Sequence, residues 1–116
     1  QIADASGKSV VVEYIGDEMN VIETEAATNF LLTPGDYPFG KGQDRYDTIV
    51  RMLAENKYSV SEEEAMEILE AAKQEPSPEK DSSTQWSCVY NLTDLTLDVA
   101  VGRDYENIYE FSLNEQ

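Results

Sequence analysis

Two amphipathic helices in direct succession, set between stretches of strand, restrict what this chain can fold into. Tyr46, Ile49, Val50 and Leu53 fall at i, i+3, i+4 and i+7 and make one apolar stripe. Ala65, Ile68, Leu69 and Ala72 repeat that spacing. The first helix starts near Asp44, with Asn56 and Lys57 close to its end. Ser61 opens the second, and Glu64, three residues on, completes a capping box. Each stripe needs a sheet or another helix to cover it.

Strands lie on both sides of this helical pair. Ser9–Ile15 is rich in β-branched residues and apolar on both faces, interrupted only by Glu13. Such a run suits a strand buried on two sides. Gly16-Asp17 supplies a turn, and Met19–Glu25 reads as the returning strand. Leu31–Gly42 holds Pro34, Gly35, Pro38, Gly40 and Gly42, so it is neither helix nor central strand. Glu75–Ser83, with two prolines and three serines, reads as a surface loop. A period of two follows. Trp86, Cys88 and Tyr90 share one face, Asn91–Asp94 turns, and Leu95, Leu97, Val99 and Val101 alternate with Thr96, Asp98 and Ala100. Gly102-Arg103-Asp104 turns again before Ile108–Leu113, where Tyr109, Phe111 and Leu113 share a side. The order is β-β-loop-α-α-loop-β-β-β. It predicts an α+β fold with antiparallel sheets and a helical pair, over a single domain of 116 residues or a piece of one. A parallel βαβ fold is disfavoured, because the helices come together and not between successive strands.

Charge narrows the partners. There are 24 acidic against 8 basic residues, a net charge of −16, and no Lys/Arg cluster. That excludes binding to a nucleic-acid backbone and attraction to an anionic membrane. No apolar run approaches the ~20 residues of a membrane span. Cys88 is the one cysteine, so no internal disulfide forms; this points to a reducing compartment, and the expected localisation is cytoplasmic. There is no histidine, which removes the commonest zinc ligand and the usual base of a Ser-His or Cys-His pair. No metal and no cofactor are expected. Glu62-Glu63-Glu64 reads as acids favoured at a helix N-terminus, Asn91-Leu92-Thr93 as a turn and not a glycosylation acceptor, and Cys88 as an inert thiol within a strand.

Two short segments carry the chemistry. Ala27-Thr28-Asn29-Phe30 ends a strand-like run, and Gly42-Gln43-Asp44-Arg45-Tyr46 begins the first helix. They bring a neutral amide, Asn29, and a permanent cation, Arg45, to one loop. That pair can hold a polarised carbonyl or a carboxylate. Arg45 sits in the opening turn of a helix, where a cation opposes the dipole at a cost of roughly 0.3–1 kcal/mol. The alternatives are structural: an ion pair of Arg45 with Asp44 or Asp47, and a turn in which Asn29 bonds nearby backbone.

Taken with Asp4-Ala5-Ser6-Gly7 before Val10-Val11-Val12-Glu13, and with Thr84-Gln85-Trp86-Ser87-Cys88-Val89-Tyr90 and the strand to Val101, these segments resemble the choloylglycine hydrolase family. The likeness is to its isopenicillin N acyltransferase-like branch, linear-amide hydrolases of the N-terminal-nucleophile class. It implies a four-layer αββα fold. It also implies a mechanism in which an N-terminal cysteine attacks an amide carbonyl and its own α-amine serves as base. Asn29 matches an oxyanion-binding asparagine of that family and Arg45 its active-site arginine. The chain begins with Gln1 and carries no Cys, Ser or Thr there, so the resemblance reads it as the C-terminal part of a longer enzyme, inactive alone. The expected partners are the N-terminal part of the parent enzyme or a second copy, with a small N-acyl substrate in the complete enzyme. The competing reading is a small acidic interaction or ligand-binding module without catalysis.

Overall fold

A computed structural model of the chain describes residues 1–79 and 82–114. Its order is β1 (Ile2–Ala3), β2 (Ser9–Ile15), β3 (Glu18–Glu23), α1 (Gln43–Glu55), α2 (Glu62–Ala71), β4 (Trp86–Asn91), β5 (Thr96–Val101) and β6 (Asp104–Ser112). This is an α+β protein with two antiparallel three-stranded sheets and two helices. The chain falls into two compact units, residues 1–50 and 51–116, with the boundary inside α1.

In the first unit β2 is the middle strand, paired with β1 through Ile2–Val10 and with β3 from Val10–Glu23 to Ile15–Glu18. Directly paired residues share a face. Ser9, Val11 and Glu13 are buried on one face of β2, while Val12 and Tyr14 on the other are 40% and 72% exposed. The two-sided burial expected from the apolar run is therefore corrected. One face is covered, and the other stays open with Met19 and Val21 beside Tyr14 and Val12. The returning strand also ends at Glu23 and not Glu25. Thr24 turns its hydroxyl to the backbone of Ala26, and the chain leaves the ladder there.

In the second unit β5 is the middle strand. Its partners on β4 run from Trp86–Val101 to Asn91–Thr96, and on β6 from Thr96–Ser112 to Ala100–Ile108. A bulge at Ala100/Val101 shifts the register so that Val101 meets Asp104. Beyond it Tyr105 reaches Ser87, sharing a hydroxyl–hydroxyl bond of 2.8 Å. Ser87 and Ala100 are buried on the face that α2 covers, together with Met66 and Ile68 of that helix. Met66 lies off the stripe read from the sequence, which placed Ala65, Leu69 and Ala72 beside Ile68. Those three are half-buried. The opposite face bears Trp86, Cys88 and Tyr90 on β4, Leu97, Val99 and Val101 on β5, and Asp104, Tyr109 and Phe111 on β6. It is open. Strand β6 starts four residues earlier than the Ile108 expected, because the chain re-enters the ladder directly after the turn.

The helix ends follow local chemistry. At α2 the Ser61 hydroxyl accepts from the Glu64 amide at 3.1 Å and the Glu64 carboxylate accepts from the Ser61 amide at 2.7 Å, so the capping box is present. At the end of α1 the amide of Tyr58 donates to Leu53 and that of Lys57 to Ala54, closing the helix with Lys57 at φ 54°. Within the loop from Glu75 to Ser83, Lys80 and Asp81 lie outside the described residues. Among the described residues no helix is long and apolar enough to cross a membrane.

Candidate functional site

The segment after β3 is tied down by a carboxylate. Glu13, which looks like an interruption of β2 in the sequence, is buried on the covered face. Its carboxylate accepts from the amides of Leu32 at 2.7 Å and Thr33 at 2.8 Å, and from the Thr33 hydroxyl at 2.6 Å. Burial raises the carboxyl's pKa. The bonds from the Thr33 hydroxyl and the two amides outweigh that, and the value sits below the ordinary 4.5. Sequence reasoning missed this role. The available signal was a lone acid on an otherwise apolar strand, which must find donors wherever it is covered.

The loop then crosses itself. The amide of Lys41 donates to the Asn29 carbonyl at 2.9 Å, and the Thr28 hydroxyl donates to the Gly42 carbonyl at 2.9 Å. Tyr46 anchors the crossing from the helix side. Its hydroxyl shares a 2.8 Å bond with that of Thr24, and its ring meets Phe30 edge-on at 5.5 Å. Gly42, buried at φ 118°, leads into α1, where its carbonyl takes the amide of Tyr46. A Cβ there would stand 2.7 Å from Arg45 Nη2 and 3.2 Å from Thr28 Oγ1. Glycine is thus required twice, for its backbone angle and for the room the guanidinium takes.

Arg45 Nη2 donates to Asn29 Oδ1 at 2.7 Å. The two residues singled out from the sequence therefore meet, across sixteen positions of chain. Among the described ion pairs none joins Arg45 to Asp44 or Asp47. Asn29 stands in the loop, six residues beyond the end of β3, and not at a strand end as read from the sequence. The contact orients the amide. With Oδ1 facing the guanidinium, the Asn29 NH₂ points away from Arg45 as a donor. Arg45 is half-buried and Asn29 is exposed, so the pair offers N–H groups to something arriving from outside.

Cys88 lies elsewhere, in the second unit, half-buried at the centre of β4 opposite Val99. That unit also holds a groove of about 520 Å³ between α2 and the sheet. Its floor includes Met66, Tyr105 and Ile108, and its walls carry acids from α2, β5 and β6. Glu62 there accepts from the Thr96 hydroxyl at 3.1 Å. Among the described residues no group of three His, Cys, Asp or Glu side chains is placed to hold a metal ion. Comparison with family models, with curated proteins and with solved structures gives no match to this chain.

Proposed function

We propose that this chain is the C-terminal portion of a hydrolase of linear amide bonds in N-acylated small molecules, in which Arg45 and Asn29 bind the scissile amide. The observation that carries the reading is the 2.7 Å bond from Arg45 to Asn29 Oδ1, which aims a guanidinium and an amide NH₂ from one spot. Both charge states suit the task. The guanidinium is permanently charged, and the neutral amide costs little to desolvate compared with a second ion. The α+β order with two antiparallel sheets fits the four-layer αββα arrangement that the resemblance implies.

On this reading a thiol carried by the preceding part of the parent enzyme attacks the amide carbonyl carbon. Its proton passes to the α-amine of the same residue and then to the leaving nitrogen as the C–N bond breaks. Water releases the acid from the thioester. Negative charge on the carbonyl oxygen is largest at the tetrahedral stage, where a preorganised N–H donor is worth about 3 kcal/mol. No histidine is needed in such a scheme, which agrees with a chain that has none.

The test is hydrolysis of N-acyl amino acids by the full-length parent. Arg45→Ala and Asn29→Ala should each lower kcat/KM by about a hundredfold or more, with stability changed by only about 1 kcal/mol, the net worth of one hydrogen bond. Near-normal turnover in both variants returns the pair to a clamp between loop and helix. A second reading, an acidic interaction module without catalysis, draws on the open apolar face of the β4–β5–β6 sheet. A natural start of the reading frame close to Gln1 favours the module, and an upstream stretch with an early cysteine favours the hydrolase.

A further inference from the structure

Helix α2 packs along β4, and a groove of about 520 Å³ is left between it and the β5–β6 half of the sheet, all within residues 51–116. The floor is apolar. Met66, Tyr105 and Ile108 form it, and Ile108 is 39% exposed although it lies on the face that α2 covers. Acids make the walls. Glu63, Glu67 and Glu70 recur at i, i+4 and i+7 on one side of α2. Asp98 and Glu110 come from β5 and β6, directly opposite one another in the ladder. Like charges in such positions repel, along a helix as across a strand pair. No Lys or Arg lines the groove, and among the described ion pairs none involves Glu63, Glu67, Asp98 or Glu110.

One end of the groove shows which group its surfaces take. The Lys73 ammonium stands 5.8 Å from the centre of the Tyr105 ring and 3.7 Å from a Glu70 carboxylate oxygen. An ammonium therefore already sits on an aromatic face beside a carboxylate, on two residues that line the groove. The other acids do not converge on a point: among the described residues no three are placed to hold one metal ion. Carboxylates spread along an apolar floor match a cation whose charges are also spread, with methylenes between them. Glu63, Glu67 and Glu70 are spaced by about 6 Å and about 4.5 Å along the helix axis, close to the interval between amines joined by three or four methylenes. The volume is that of a small-molecule site, ~300–1,000 Å³. We propose that this groove binds a linear aliphatic polyamine, its ammonium groups against the acid walls and its methylenes on Met66, Tyr105 and Ile108. The net charge of −16 draws such a cation from every side, and the groove fixes where it stays. The apolar floor lets the methylenes leave water. The inference stands whether the chain belongs to a hydrolase or to a binding module.

The experiment is calorimetric titration of the 116-residue chain with spermidine as the probe, at about 0.15 M salt. The expected result is saturable binding of one spermidine per chain, tighter than that of Mg²⁺ and weakened by added salt. Glu67→Gln and Glu110→Gln should each weaken it about two- to fivefold with unchanged circular dichroism, and the two together about tenfold. Tyr105→Leu should weaken it about two- to fivefold, while Tyr105→Phe, which keeps the ring, should not. Glu25→Gln removes the same charge from the other unit and should leave binding unaltered. Spermine and a capped tetralysine peptide of equal charge separate the polyamine from a basic peptide, and spermine should bind more tightly. Four outcomes would overturn the proposal: no saturable binding, an equal loss in Glu25→Gln, Mg²⁺ bound as tightly as spermidine, or the peptide bound more tightly than spermine.

Discussion

Glu13 receives three hydrogen bonds, all from Leu32 and Thr33, so the seating of the loop depends on its charge. Its folded pKa lies below the ordinary 4.5. A group depressed in this way contributes stability that is fully present above its unfolded value and is lost as pH falls through its folded value. Urea unfolding of wild type against Glu13→Gln should show the variant less stable by about 1–3 kcal/mol near neutrality. The gap should close as pH falls below the ordinary 4.5 and through the lowered folded value. A gap constant across that window would mean that shape and not charge seats the loop. Arg45 is the counterpart on the helix side. Its partner is Asn29, sixteen residues back, and on the proposed reading the losses expected in Arg45→Ala and Asn29→Ala come from donors withdrawn from the substrate.

At the scale of elements the two helices end in opposite ways. The start of α2 is well made, with Ser61 and Glu64 satisfying one another's amides. The end of α1 is closed by the right bonds on the wrong residue, since Lys57 takes a left-handed angle that glycine adopts freely. Thermal unfolding should therefore show Ser61→Ala less stable by about 1 kcal/mol. Lys57→Gly should be more stable by about 0.5–1 kcal/mol. A loss of stability in Lys57→Gly would show that the lysine side chain makes up for its backbone. The bulge at Ala100/Val101 is the other local device. It brings Tyr105 to Ser87 on the face under α2, where simple alternation would have put it beside Tyr109.

For the molecule as a whole, burial is thin. Among the described residues the buried apolar set is Val11, Ala26, Met66, Ile68 and Ala100, and no large side chain is completely enclosed. Large apolar side chains on both sheets remain in contact with solvent. The same chain should turn over no amide by itself. Cys88 is internal, sits mid-strand, and lies in the unit that does not contain Arg45 and Asn29. Incubation of the purified chain with an N-acyl amino acid should release no amine. Release that disappears in Cys88→Ser would show that this thiol is a nucleophile after all.

Much of the architecture was legible from residue order. Period two and period 3.6 mark strands and helices because side chains alternate across a strand and recur every turn of a helix. The capping box was readable because it depends on four consecutive residues. Asn29 and Arg45 could be named as a pair, since an amide and a cation flanked one loop rich in glycine and proline. What covers each face was decided only in three dimensions. Val11 and Val12 are alike in the sequence, yet one is buried and the other open, because the loop through Leu32 and Thr33 seats on Glu13's side of β2. The Arg45–Asn29 bond likewise needs the crossing of residues 28–30 with 40–42, held by Lys41, Thr28 and Tyr46. Local pattern determines which way a side chain alternates. Contacts between residues far apart in sequence determine which side becomes the inside.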